Sequence, residues 1–86
     1  MNNSALEKMI EQKLTQAFSP DFLQLIDQTH RHHKHPQFQV GKSHFKLIIQ
    51  SKTLSALPKL KAHQVIYHCL ANLMQTDIHA LSITIR

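Results

Sequence analysis

The chain has 86 residues, of which 42% are hydrophobic, and its formal net charge is +5. This length predicts one domain over residues 1–86, and no apolar run approaches the roughly 18 residues of a membrane span. Residues 1–12 lack the features of a signal peptide, and the single cysteine, Cys69, excludes an internal disulfide, so we expect a cytoplasmic protein with no membrane partner. The excess of positive charge suggests nucleic acid or an acidic protein surface as partner, and it equally fits an ordinary solvated surface.

The first predicted element is a helix that starts at Ser4. Ser4 and Glu7 have the spacing of a capping box, with Ser4 as N-cap, and apolar residues then follow at helical spacing. The segment Phe18-Ser19-Pro20 is expected to end this helix, because the residue before a proline is pushed out of the helical region.

Two strands separated by a long loop are predicted next. Residues 22–29 alternate apolar with polar side chains, and residues 44–51 do so with their odd-numbered apolar residues on one face. The stretch 30–43 has no apolar period and is predicted to be a loop.

A second helix and a last strand complete the predicted chain. Residues 52–57 are interpreted as a connection, Pro58 suits the first turn of a helix, and an apolar stripe extends that helix to about Met74. Residues 81–85 alternate as a strand. The order α-β-β-α-β predicts an α/β (α+β) domain with a three-stranded mixed sheet, in which the last strand runs parallel to its neighbour and helices cover one face.

The unusual feature of the composition is its eight histidines, four of which lie between His30 and His35. Neutral imidazole suits zinc, copper, nickel and iron. In an extended segment His30 and His32 would point one way and His33 and His35 the other, so the run alone does not provide four converging ligands. A solvated loop with incidental metal affinity is the simpler interpretation of this run.

The remaining candidates are isolated residues. His79 precedes the predicted last strand, where a side chain can project from a sheet edge, although a lone histidine there is by default structural. His63 flanks the apolar stripe as a half-buried packing residue, and Cys69 within the stripe is interpreted as an inert core residue. The sequence has no Ser-His-Asp arrangement, evident carboxylate pair or glycine-rich phosphate loop, so we expect neither an enzyme nor a small-molecule substrate.

Three segments resemble the BolA family, and the match extends over nearly the whole chain. Residues 27–32 (DQTHRH) are similar to the family's D-E-S-H-x-H, residues 43–47 (SHFKL) to its S/G-H-F/Y-x-V/L, and residues 78–83 (IHALSI) to its I/V-H-A-L-S/A-I. The chain departs from the family at residues 62–64, which read A-H-Q where the family usually has R-H-R. The resemblance implies a fold similar to class II KH domains.

The resemblance implies, as a first function, a partner of a monothiol glutaredoxin that shares a bridging 2Fe–2S cluster in iron–sulfur trafficking or iron sensing. The glutaredoxin offers a cysteine thiolate and a glutathione thiolate, and the isolated chain is expected to bind no cluster. The family's histidine ligands carry over to His79 and, nine positions before the histidine of the second strand, to His35. His30, His32 and His33 are close enough to substitute for His35.

The second implied function is that of a DNA-binding transcriptional regulator of the BolA type, in stress response or cell morphology. The candidate contacts for partner or nucleic acid lie on the second helix at Lys59, Lys61, His63 and His68. The chain lacks the GXXG loop with which KH domains grip nucleic acid. A third interpretation is an interaction module that uses no metal.

Overall fold

The computed structural model describes residues 3–28 and 43–86, and in them it shows four helices and a three-stranded sheet. The elements are α1 (Asn3–Phe18), β1 (Phe22–Asp27), β2 (Ser43–Gln50), α2 (Lys52–Ser55), α3 (Lys59–Cys69), α4 (Ala71–Thr76) and β3 (Ile78–Ile85). The strand order is β1-β2-β3, with β1 antiparallel and β3 parallel to β2. This is the predicted mixed sheet. The predicted loop histidines, His30, His32, His33 and His35, lie outside the described residues.

The helices pack against one face of the sheet. Alternate residues of β2 from Phe45 to Ile49 are buried on that face, as predicted, and their partners in β1 and β3 extend it. The helices complete the same buried cluster with Leu6, Ile10, Leu14, Phe18, Leu54, Ala62, Ile66, Leu70 and Leu73. Each large side chain of this kind contributes about 1.5–3 kcal/mol when fully buried, so the cluster is the main source of stability. None of the helices in the described part of the chain is long and apolar enough to cross a membrane.

The end of α1 was predicted correctly, and its start was not. The helix ends at Phe18, and Ser19 takes a left-handed φ of 44° immediately before Pro20. Asn3, the first residue that the structure describes, is already helical, so Ser4 lies inside the helix and not at its N-cap. The spacing of Ser4 and Glu7 alone therefore does not locate the start of the helix.

The short helix α2 occupies the segment that was predicted to be a connection. Its N-cap is the buried Ser51, whose Oγ accepts a hydrogen bond from the Leu54 N–H at 3.4 Å and donates one to the Phe18 carbonyl at 2.8 Å. Leu54 is buried in the core. A single turn has too few residues to show a hydrophobic period, and for that reason the sequence did not indicate it.

The second predicted helix is in fact two helices, α3 and α4. At Leu70 the backbone has φ −101° and ψ 13°, so α3 ends at Cys69 and α4 begins at Ala71. Leu70 and Leu73 are both buried, so the apolar stripe continues across the break. The prediction of one continuous helix to Met74 is therefore wrong. The sequence could not reveal the break, because the spacing of the apolar residues is the same with or without it.

The outer strands differ from the prediction at one end each. β1 ends at Asp27, two residues early, although the Gln28 N–H still donates to the His44 carbonyl at 2.7 Å. β3 begins at Ile78 and not at Leu81. An irregularity in the pairing of β3 with β2 interrupts the alternation of its side chains, so residues 78–80 do not look like a strand in the sequence.

Candidate metal-ligand site at the β2–β3 bulge

The pairing of β2 with β3 contains a β-bulge at His79. The first residue of β2 pairs with Ile78, whereas the next one, His44, pairs with Ala80, so His79 is the extra residue on β3. In a regular strand His79 and Ala80 would point to opposite faces. Here both are exposed, while Ile78 and Leu81 on either side are buried. The bulge therefore lets β3 keep its core residues and present the histidine on the surface.

Two backbone hydrogen bonds lie close to the bulge. The Ser43 N–H donates to the carbonyl of Asp77, the residue that ends α4, at 2.9 Å. One residue later, the His44 carbonyl accepts the N–H of Gln28, the residue that follows β1, at 2.7 Å. β3 pairs with β2 both before the bulge, at Ile78, and after it, at Ala80 and Leu81, so the position of the His79 imidazole depends mainly on its side-chain torsions.

The imidazole of His79 packs against that of His44. The ring centroids are 4.8 Å apart and the ring planes are inclined by 55°, within the usual range for paired aromatic rings. His44 is only 8% exposed, whereas His79 is exposed. Of the two rings, that of His79 is therefore the one that a partner protein can reach.

His79 is a candidate for one ligand of a metal site. Among residues 3–28 and 43–86, no three His, Cys, Asp or Glu side chains are grouped so as to hold a metal ion. An exposed neutral imidazole is a suitable ligand for iron, and its place at the surface suits a site shared with another protein. The predicted second ligand, His35, and its alternatives lie outside the described residues, so their distance from His79 stays a prediction.

The predicted contact residues lie on two sides of α3, with Lys59 and His63 four positions apart on one side and Lys61 and His68 seven positions apart on another. Lys59, Lys61 and His68 are exposed, and His63 is half-buried as expected. The Nδ1 of His63 lies 2.9 Å from the Lys59 carbonyl, so this nitrogen carries the proton and donates. That bond lies within one turn of the helix and leaves the contact role of His63 a prediction.

Comparison with known proteins identifies the family. Residues 14–86 match the family model described as BolA-like protein. The chain belongs to the BolA family. It is 35% identical over 78 residues to the DNA-binding transcriptional regulator BolA of Escherichia coli, which covers 91% of this chain and 71% of that protein. The corresponding regulator of Haemophilus influenzae is 34% identical over 79 residues, covering 92% of this chain and 74% of that protein.

A solved structure agrees with the family assignment. The BolA domain of SufE1 from Arabidopsis thaliana has a TM-score of 0.80 at 27% sequence identity, and the match covers 100% of this chain and 93% of that one. The predicted membership of the BolA family and the α+β fold are thereby confirmed. In this BolA chain the I-H-A-L segment is the bulged beginning of β3, and the S-H-F segment is the strand beside it.

Two residues on α3 of this BolA chain, Leu60 and Tyr67, were not predicted from the sequence as candidate contact residues. The Tyr67 hydroxyl donates to the Leu81 carbonyl at 2.7 Å and so ties α3 to β3. Leu60 is 71% exposed beside Lys59 and His63. Both residues lie off the apolar stripe and are seven positions apart, which places them on one side of the helix, and this spacing is the signal that could have found them.

Cys69 behaves as the sequence predicts. Its side chain packs against the core, and its Sγ donates to the Lys13 carbonyl at 3.7 Å. Burial raises the pKa of the Cys69 thiol more than the nearby Lys13 charge lowers it. The thiol is therefore neutral at physiological pH, which agrees with an inert role.

Proposed function

We propose that this BolA chain pairs with a monothiol glutaredoxin and supplies His79 as a ligand to a 2Fe–2S cluster that the two proteins share. The observation that carries the proposal is the exposed His79 on a bulge whose flanking strands are held by backbone hydrogen bonds. A surface imidazole fixed on a strand can meet a ligand set brought by another protein. His35 is the proposed second histidine ligand, and the glutaredoxin cysteine and glutathione supply the thiolates.

The part of this chain in the proposed complex is to hold and orient imidazole donors. Neutral imidazole adds no negative charge to the iron it binds, which raises the reduction potential relative to a site made only of thiolates. The cluster is cargo or an iron-dependent signal, and the chain performs no enzymatic step. The proposed place of action is the cytoplasm.

Reconstitution of the complex tests this function. The chain and a monothiol glutaredoxin are mixed with glutathione, iron and sulfide, and visible absorption and circular dichroism are recorded. The wild-type complex should show the spectrum of a cluster with histidine ligation, and the double variant His35→Ala/His79→Ala should lose it. Ser82→Ala is the matched control, because Ser82 is exposed on the same strand and has no imidazole. An unchanged spectrum in the double variant would contradict the ligand assignment.

The same mixture distinguishes a metal-free interaction module from a cluster partner. Titration of the chain with apo glutaredoxin measures association without iron. Under the proposed function, the cluster strengthens association because it bridges the two proteins. Equal affinity with and without iron would make the cluster secondary to protein contact.

DNA binding is the second candidate, and two observations favour it. The E. coli and H. influenzae relatives carry the name DNA-binding transcriptional regulator BolA, and α3 exposes Lys59, Lys61 and His68 in a chain of net charge +5. Contacts with phosphate release counterions, so binding should weaken steeply with salt.

Fluorescence anisotropy with duplex DNA at several salt concentrations tests this second candidate. Lys59→Ala/Lys61→Ala should weaken binding uniformly across sequences and reduce the magnitude of the salt slope by about 2, one for each lost phosphate contact. No affinity at low salt would exclude the DNA function, and wild-type binding by the double variant would exclude α3 as the contact surface.

A further inference from the structure

His44 has an unusual position on the sheet. It alternates with Phe45, which faces the helices, and therefore lies on the opposite face with Lys46. Lys46 is only partly buried, whereas His44 is 8% exposed. Its backbone carbonyl accepts the N–H of Gln28, the residue that follows β1, and its ring contacts His79 of β3. His44 of β2 therefore contacts both β3 and the segment that follows β1.

The contact with His44 restricts a side chain that would otherwise rotate. An exposed histidine has three staggered χ1 wells and about two ring orientations, which makes roughly six arrangements. Only an arrangement that points a ring nitrogen at the metal can bind it. A ring that rotates freely adopts that arrangement for only a fraction of the time. Apparent affinity falls in proportion to that fraction. With the backbone held by hydrogen bonds, the ring of His44 at 4.8 Å is the element that limits the remaining freedom of His79.

We propose that His44 is a positioning residue for His79, whose buried ring holds the exposed imidazole in one orientation by packing and supplies no ligand atom. The inference rests on the proposed function for the role of His79, and on the ring contact and the bulge for the role of His44. Phenylalanine at position 44 keeps a flat ring and lacks the nitrogens. His44→Phe should therefore keep the His79 imidazole in one orientation, and His44→Ala should release it.

The first experiment measures the orientation of His79 in the chain alone, without glutaredoxin or iron. Three-bond couplings about χ1 of His79 are recorded by NMR on histidine-labelled protein for the wild type, His44→Phe, His44→Ala and Ser82→Ala. We expect His79 to adopt one dominant χ1 rotamer in the wild type, His44→Phe and Ser82→Ala. In His44→Ala the couplings should take values averaged over several rotamers. If the amide spectrum shows that His44→Ala does not fold, His44→Leu, which fills the site without a flat ring, replaces it. A single wild-type rotamer in the variant without a ring would overturn the proposal.

The second experiment measures retention of the cluster in the reconstituted complex with glutaredoxin. His44→Ala should keep the spectrum of histidine ligation and lose the cluster to a chelator about three- to sixfold faster, the range set by the number of orientations released. His44→Phe and Ser82→Ala should lose it at the wild-type rate. If His44→Phe loses the spectrum, the nitrogens of His44 are needed and positioning by packing is wrong.

The two experiments also separate this inference from the function on which it rests. Persistence of the histidine spectrum in His79→Ala would refute the proposed function, whatever the couplings show. Loss of the spectrum in His79→Ala, together with wild-type couplings and wild-type release in His44→Ala, would refute the positioning role alone.

Discussion

His79 is exposed, and we propose that its surroundings restrain it. The flanking strands are held by hydrogen bonds at Ser43 and His44, and the ring packs on that of His44. A side chain in this situation loses little freedom when it binds, because part of the entropy cost is already met by folding. At the scale of single residues, this contact supports the proposal that His79 is a ligand.

Ser19 allows a direct test of the backbone between α1 and β1. Its φ of 44° lies in the left-handed region, where a branched Cβ is strongly disfavoured. Ser19→Val should lower the free energy of unfolding by about 1–2 kcal/mol, measured by urea denaturation. Thr15→Val, at an exposed helical position, should change it by less than about 0.5 kcal/mol. Equal stability of both variants would show that the left-handed turn does not constrain this residue.

Glu7 gives a prediction with a defined sign in pH. Burial raises the pKa of Glu7, and the negative charges of Asp27 and Glu11 raise it further. The folded state thus binds the proton more tightly than the unfolded state, so ionisation of Glu7 costs stability as pH rises through its folded pKa. Glu7→Gln should stabilise the protein at pH 7, by less than about 1 kcal/mol because the site is partly solvated.

The gain from Glu7→Gln should vanish when pH falls below the ordinary glutamate range, since Glu7 is then protonated in both states. Urea denaturation of the variant and the wild type at several pH values measures it. Asp21→Asn is the control, because Asp21 is exposed and precedes β1, whereas Asp27 lies at the end of that strand. A gain that is constant with pH would contradict a charge effect.

At the scale of elements, the sequence predicted the helices and strands whose apolar residues recur at regular spacing. It did not reveal the features that leave this spacing unchanged or interrupt it. The buried faces of α1 and β2 and the stripe of the second helix follow regular spacing and were confirmed. The single turn of α2 and the break at Leu70 change no period. The bulge at His79 breaks the period of β3 and hides the start of that strand.

The candidate site could be predicted only in part, for the same reason. The motif containing His79 is visible in the sequence through its family resemblance. His44 is also visible, as the histidine of the S-H-F motif, but its contact with His79 is not, because that contact depends on the shift of register at the bulge, which the alternation of residues does not reveal.

Ser51 tests how α2 is attached to the rest of the fold. Its buried hydroxyl bonds to the Phe18 carbonyl and to the Leu54 N–H, and so joins the end of α1 to the start of α2. Ser51→Ala leaves both backbone groups without this partner and should lower the free energy of unfolding by about 1–3 kcal/mol. Ser55→Ala, at an exposed position of the same helix, should have little effect. Equal denaturation midpoints for the two variants would contradict this role of Ser51.

At the scale of the whole molecule, His79 and Lys59 lie near opposite ends of β3. His79 lies at its beginning, whereas Lys59 lines a hollow with Ile85 and Arg86 at its end. Six residues of strand separate these ends, roughly 20 Å at the rise of a β-strand. Lys59 is therefore far enough from His79 for a substitution at one of them to leave the other intact.

This separation predicts independent effects. His79→Ala should lose the histidine spectrum of the glutaredoxin complex and bind duplex DNA like the wild type, whereas Lys59→Ala/Lys61→Ala should do the reverse. Spectroscopy of the complex and anisotropy with DNA measure the two properties on the same preparations. Loss of both properties in either variant would show that the surfaces are coupled.

The most direct test of the central claim is the visible absorption and circular dichroism of the reconstituted glutaredoxin complex carrying His79→Ala. The spectrum of histidine ligation should disappear in this variant and persist in Ser82→Ala. An unaltered spectrum in His79→Ala would contradict the assignment of His79 as a ligand and, with it, the function proposed for this chain.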